Sequence, residues 1–196
     1  MSKSEFEKVV GQVMYYPHAD HGYRGDLYVM TVKENYRCLI SRGCILDMTG
    51  SMFIGPSSYI AAGVKVWTHK HDIASTEILL DRQARMGEAF TIPLDKVIMD
   101  DVWIYESLIL PGCRMVATGV VIGAGSVVTR SITEPWSIWG GNPAVRIKSR
   151  MNDYILCEVE DEGWMKMRDI DNTLKSGEKL NPEDLRRLYE KSDVTE

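Results

Sequence analysis

The sequence predicts an all-β solenoid. Two observations carry that expectation: a ladder of aliphatic residues at a spacing of six, and small residues in the gaps between its rungs. From Ile98 the rungs are Ile104, Leu110, Val116, Ile122 and Val128. Six is not a helical period, since a helix repeats near 3.6 residues and would spread such a ladder around its whole surface. It suits strands of two or three residues joined by tight turns, three to a circuit, with the sixth-position side chains stacked inside as columns. The turns carry Pro111-Gly112, Gly119 and Gly123-Ala124-Gly125-Ser126, where glycine supplies backbone conformations that other residues resist.

An earlier stretch keeps the same period through Met48, Ile54, Ile60 and Val66. One step further back stands Arg42, where the ladder fails or shifts register. From Val66 to Ile98 is 32 residues, not a multiple of six, so a loop of about 69–95 is expected to bulge out of the coil. Loops of that length are uncommon and often functional. We therefore divide the chain into an N-terminal segment (1–25), a repeat domain (26–150) and a C-terminal extension (151–196). In the extension Trp164, Met167, Ile170 and Leu174 have helical spacing before Gly177. Asn181 then precedes Pro182, Glu183 and Asp184, a cap, a first-turn proline and acidic first-turn residues, so a short helix is expected over 182–189.

Composition narrows the function. The 196 residues carry a net charge of −5, which argues against nucleic acid as the main partner. No apolar run approaches a membrane span, and the first residues lack the apolar stretch of a secretory signal. Cys38, Cys44, Cys113 and Cys157 form no C-x-x-C pair, so neither a zinc site nor a disulfide framework is implied. A cytoplasmic protein is expected.

Four stretches carry a specific resemblance: Asp101-Val-Trp-Ile, Ile-Leu-Pro-Gly112, Ile122-Gly-Ala-Gly-Ser-Val-Val-Thr-Arg130 and Trp136-Ser-Ile-Trp-Gly-Gly-Asn-Pro-Ala144. Over roughly residues 45–150 the chain resembles the hexapeptide-repeat acyltransferases, in the branch of the maltose, galactoside and exopolysaccharide O-acetyltransferases, with xenobiotic acetyltransferases nearby. The resemblance implies a left-handed parallel β-helix, a homotrimer, acetyl-CoA as co-substrate in a groove between subunits, and a loop histidine as general base. It implies no metal.

The resemblance puts that base five residues after Val66, at His71, followed by Asp72. A sugar hydroxyl is a weak nucleophile at neutral pH, and an imidazole can take its proton as it attacks the thioester carbonyl. His69 is a candidate to orient His71 or the acceptor. Asp47 and Glu106 are both candidates to hold the other ring nitrogen of the base. His18 and His21 lie outside the matched stretch. Trp139 stands where relatives have a small aliphatic residue, and two readings stay open: stacking near the acceptor or the pantetheine arm, or subunit packing. By the same resemblance Ala124, Gly125 and Thr129 bond the pantetheine amides, Gly141 lets the arm approach, and Arg130, Lys148 and Arg150 meet the nucleotide phosphates. Valine occupies position 145, where a basic residue is usual, and Arg146 is displaced by one. Cys113 is read as packing.

Departures cluster at the acceptor end. Tyr105-Glu106 replaces a Gly-small pair, the Leu-Pro-Gly step comes one residue early, and an expected asparagine is missing near Arg42-Gly43-Cys44. The acceptor is therefore not a simple galactoside. The function expected is O-acetylation of a sugar, glycan precursor or similar small molecule. The alternatives are N-acetylation of an amino sugar, a non-catalytic scaffold, and a zinc enzyme of the γ-carbonic anhydrase kind. The last needs three histidines, and His69 and His71 supply two.

Overall fold

A computed structural model describes residues 14–16, 27–29, 38–71, 91–150 and 172–176. Expectations for the helix at 182–189 and for Cys157 fall outside them. Apart from one short helical piece, the regular secondary structure of the described residues is β-strand, joined by turns. The short helical piece at 172–176 contains Leu174, which is fully buried and joins the common core.

Three parallel sheets organise the chain, and consecutive strands visit them in rotation. The first contains β1 (Met14–Tyr16), β4 (Ile45–Asp47), β7 (Lys65–Val66), β12 (Ser107–Ile109) and β15 (Ser126–Val128). The second contains β2 (Leu27–Val29), β5 (Met52–Ile54), β10 (Lys96–Ile98) and β13 (Met115–Val116), which Ile132 extends through a bridge to Val116. The third contains β3 (Leu39–Ile40), β6 (Tyr59–Ile60), β11 (Trp103–Ile104), β14 (Val121–Ile122) and β16 (Ser137–Gly140), and β17 (Val145–Ser149) pairs antiparallel with β16. Each strand is too short to bury a face alone, so stability comes from stacking on the circuits before and after.

The interior is three columns of aliphatic side chains in register. Leu46, Val66, Ile109 and Val128 line the first sheet. Ile54, Ile98, Val116 and Ile132 line the second. Ile40, Ile60, Ile104 and Ile122 line the third, which Trp139 continues. All are buried. The six-residue ladder is thus the inner lining, and successive rungs fall on successive sheets.

Two rungs need correction. Ile109, not Leu110, enters the core, because Leu110 opens the turn closed by the Cys113 N–H on its carbonyl at 3.0 Å. The early Leu-Pro-Gly step shortens one interval and lengthens the next. Leu46, not Met48, pairs with Val66. Met48 is buried, but it follows the end of β4.

After Trp67 the chain leaves this rotation. Strand β8 (His69–His71) pairs antiparallel with β9 (Thr91–Pro93) in a separate two-stranded sheet. The chain then rejoins the second sheet at Lys96. Among the described residues no helix is long and apolar enough to cross a membrane.

Candidate active site

The departure point of β8 lies at the corner between the first and second sheets, directly above Asp47. That carboxylate is fully buried and ringed by donors. Its Oδ1 accepts the Thr49 hydroxyl at 2.6 Å and the Thr49 N–H at 3.1 Å. Its Oδ2 accepts the Thr68 N–H at 2.7 Å and contacts Nδ1 of His69 at 2.6 Å. The Thr68 hydroxyl also bonds the Asp47 carbonyl at 2.7 Å and takes the Gly50 N–H at 2.9 Å. Burial pushes the Asp47 carboxyl up, but the bonds from Thr49, Thr68 and His69 outweigh it and hold the group below its ordinary range.

His69 is buried and His71 is exposed. Alternation along β8 turns both to one side, and their ring centroids lie 5.1 Å apart, edge to face. Trp67 meets the His69 ring at 6.1 Å. Of the two carboxylates considered from sequence, Asp47 engages a histidine, and that histidine is His69. Glu106 is elsewhere. Its side chain packs over the Gly63 turn, and its carbonyl accepts the Gly125 N–H at 2.7 Å.

The residues expected to bind the donor fall into groups. Ala124, Gly125 and Gly141 are exposed at the corner between the third and first sheets, with φ of +74° at Gly125 and +97° at Gly141. Thr129 and Arg130 are exposed at the corner that carries His69, further along the stack. Lys148 is exposed on β17. Arg150 is engaged within the chain. Its guanidinium sits over Trp103 and Trp136 at 5.4 and 5.5 Å, bonds the carbonyls of Asp101 and Gly119 at 3.0 Å each, and pairs with the Asp101 carboxylate at 3.1 Å. Arg146 pairs with Glu134 at 2.5 Å. Trp139 is buried, donates its N–H to Ser137 at 2.8 Å, and has Arg130 over its ring at 5.9 Å.

No protein-family model matches the chain. Solved structures do. A maltose O-acetyltransferase from Clostridium difficile 630 aligns with a TM-score of 0.54 and 28% identity, over 73% of this chain and 66% of that one. A hexapeptide-repeat acetyltransferase from Vibrio cholerae shares the fold, with a TM-score of 0.50 and 24% identity over 67% of this chain and 76% of that one. In sequence, the chain is 34% identical over 168 residues to a chloramphenicol acetyltransferase of Klebsiella aerogenes, across 79% of this chain and 75% of that protein. The chain belongs to the hexapeptide-repeat acetyltransferases.

In this acetyltransferase the sequence had marked the histidines and Asp47 but not the hydroxyls that make the carboxylate usable. Thr49 and Thr68 stand in no recognisable motif; Thr49 bonds Asp47 from two residues along the chain, and the stacking of circuits brings Thr68 onto it. Lys96 was also missed. A lysine opening an aliphatic strand reads as a solvated edge, yet it is fully buried. Cys38, Cys44 and Cys113 are buried in the core, and burial pushes the Cys38 thiol up to about 12. Among the described residues no three His, Cys, Asp or Glu side chains converge as a metal site.

Proposed function

We propose that this acetyltransferase is a left-handed parallel β-helix that works as a homotrimer and moves the acetyl group of acetyl-CoA to a hydroxyl of a small acceptor, with His69 as general base. The observation that carries the reading is the 2.6 Å contact between His69 and the buried Asp47. A carboxylate on Nδ1 fixes the tautomer, directs base chemistry to Nε2, and stabilises the imidazolium that forms. His71 has the spacing expected from sequence, but it is exposed on the strand beyond. It is assigned to the acceptor side.

The hydroxyl oxygen attacks the thioester carbonyl as Nε2 takes its proton. The tetrahedral intermediate collapses with loss of the CoA thiolate, and the imidazolium returns the proton to that sulfur. No acyl-enzyme is needed. Cys113, buried in the core, takes no part. Ala124, Gly125, Thr129 and Gly141 line the pantetheine arm, and Arg130 and Lys148 meet its phosphates. Arg150 is left out, because its guanidinium already serves two carbonyls and a carboxylate.

The trimer is supported by the outer face of the third sheet. Its in-register outward row is Leu39, Tyr59, Trp103, Val121 and Ile138, all apolar or aromatic, with Leu39 53% and Trp103 38% exposed. Such a strip calls for a covering surface. For the acceptor, the relatives named for chloramphenicol and, as a probable activity, for macrolides add hydroxylated antibiotics to the sugars and glycan precursors expected from sequence.

Thiol release from acetyl-CoA, measured against sugars, glycan precursors, hydroxylated antibiotics and amino sugars, tests the reading. Release with a hydroxyl acceptor that disappears in His69→Ala, while acetyl-CoA still binds, is the expected result. Release with amines alone would replace O-acetylation by N-acetylation.

A further inference from the structure

The corner between the third and first sheets holds a departure that the proposed chemistry does not use. From rung to rung this corner takes six steps at Ile60–Val66 and at Ile122–Val128, but five at Ile104–Ile109. The longer turns are Ala61-Ala62-Gly63 and Gly123-Ala124-Gly125, which close on glycines with φ of +78° and +74°. Between them stands the shorter Tyr105-Glu106. Stacking is continuous across it. The Ala61 N–H bonds the Ile104 carbonyl at 2.8 Å, the Tyr105 N–H bonds the Ile122 carbonyl at 3.0 Å, and the Gly125 N–H bonds the Glu106 carbonyl at 2.7 Å.

The short turn leaves the fold with a debt. Ser126 donates its hydroxyl to the Gly123 carbonyl of its own three-residue turn at 2.5 Å. Ser107 pairs in register with Ser126 and is buried, yet its hydroxyl has no hydrogen-bond partner among the described residues. An orphaned buried hydroxyl lowers stability, and breaches of that kind concentrate at functional sites.

Both side chains of the turn lean toward the preceding circuit. The Tyr105 ring meets Tyr59 edge to face at 6.4 Å. Glu106 lies across Gly63, where an added Cβ would stand 3.1 Å from its Cγ and Oε1. Glu106 is exposed, and its carboxylate makes no ion pair among the described residues. On the proposed reading, the donor's phosphates lie toward Lys148 at the far end of the stack, and its arm passes Gly141 and then Gly125 at this same corner. Gly63 belongs to the circuit that ends at Val66 and runs on to His69. The thioester must reach the level of that histidine, and Glu106 stands between Gly125 and that level.

We propose that Glu106 is a specificity-determining residue for the acyl group: its carboxylate, at the reactive end of the arm, rejects donors whose acyl chain carries a negative charge. The inference rests on the donor lying along this corner, and not on which histidine is the base. Two carboxylates about 5 Å apart in a largely solvated corner repel enough to weaken binding by about fivefold.

The test is calorimetric binding of propionyl-CoA and malonyl-CoA to wild type, Glu106→Gln and Glu106→Lys. Both acyl groups have three carbons, and they differ in a methyl against a carboxylate. The readout is the malonyl Kd divided by the propionyl Kd within each protein, which cancels any change common to both esters. Glutamine keeps the size of glutamate and loses its charge, so the ratio should fall by about fivefold, and lysine should lower it further. Raising the salt should bring the wild-type ratio toward that of Glu106→Gln. A ratio that stays within about twofold across the three proteins would overturn the proposal and leave the turn a structural irregularity. Wild-type protein that binds neither these esters nor acetyl-CoA would sink the donor reading and this inference with it, whereas acetyl-CoA binding with an unchanged ratio sinks this inference alone.

Discussion

Nδ1 of His69 lies 2.6 Å from Oδ2 of Asp47, so the buried histidine of β8 is the oriented one, while its exposed neighbour His71 sits 5.1 Å away, ring to ring. His69→Ala should lower kcat by about 10²–10⁴-fold. His71→Ala should cost less than about tenfold, mainly in KM for the acceptor. Steady-state kinetics on both variants decides between them, and a larger loss at His71 would reverse the roles.

Asp47 makes stability depend on acid pH. Its folded pKa lies below the ordinary 3.8. Its contribution is therefore fully present above about pH 4 and is lost as pH falls through the folded value. Asp47→Asn should remove that part of the acid dependence, seen as a flatter Tm between about pH 5 and pH 2. It should also lower kcat by on the order of 10²-fold.

Lys96 acts at the other end of the scale. Its pKa falls from 10.5 to about 8 on burial, so the folded state disfavours the proton below pH 8 and the penalty fades as pH rises toward 10.5. Unfolding by urea at pH 7 and pH 10 should reveal a relative gain of roughly 3 kcal/mol from this group. In Lys96→Met that gain should vanish.

Two glycines with similar φ should respond differently to alanine. At Gly119, φ +69°, a Cβ would stand 2.1 Å from the Trp136 ring, whereas at Gly125, φ +74°, nothing lies within 4 Å. Gly119→Ala combines backbone strain with overpacking and should cost about 3 kcal/mol or more. Gly125→Ala should cost roughly 1–2 kcal/mol and act chiefly by raising KM for acetyl-CoA. Denaturation midpoints and KM values separate the two.

The basic residues near the end of the repeat should also divide. Arg150→Ala breaks the stack with Trp103 and Trp136 and two bonds to carbonyls. It should destabilise by about 1–3 kcal/mol with little change in KM for acetyl-CoA. Arg130→Ala and Lys148→Ala should leave Tm near wild type and raise that KM, each by roughly fivefold.

Sequence alone determined the β class and the period of the inner lining, because a six-residue repeat has few ways to bury its aliphatic rungs, and the stretches Ile122–Arg130 and Trp136–Ala144 pointed to the family by resemblance. It also marked His69, His71 and Asp47 as candidates. It showed the Leu-Pro-Gly step one residue early but kept Leu110 as the rung in place of Ile109, since a one-residue slip regained within the next interval leaves the overall period intact. Only tertiary structure decided which histidine meets the carboxylate. Asp47 and His69 are 22 positions apart, and what joins them is the stacking of one circuit on the next. The same stacking buried Lys96 and engaged Arg150 with Asp101 and Gly119, because a charge's partners are set by neighbouring circuits and not by neighbouring residues.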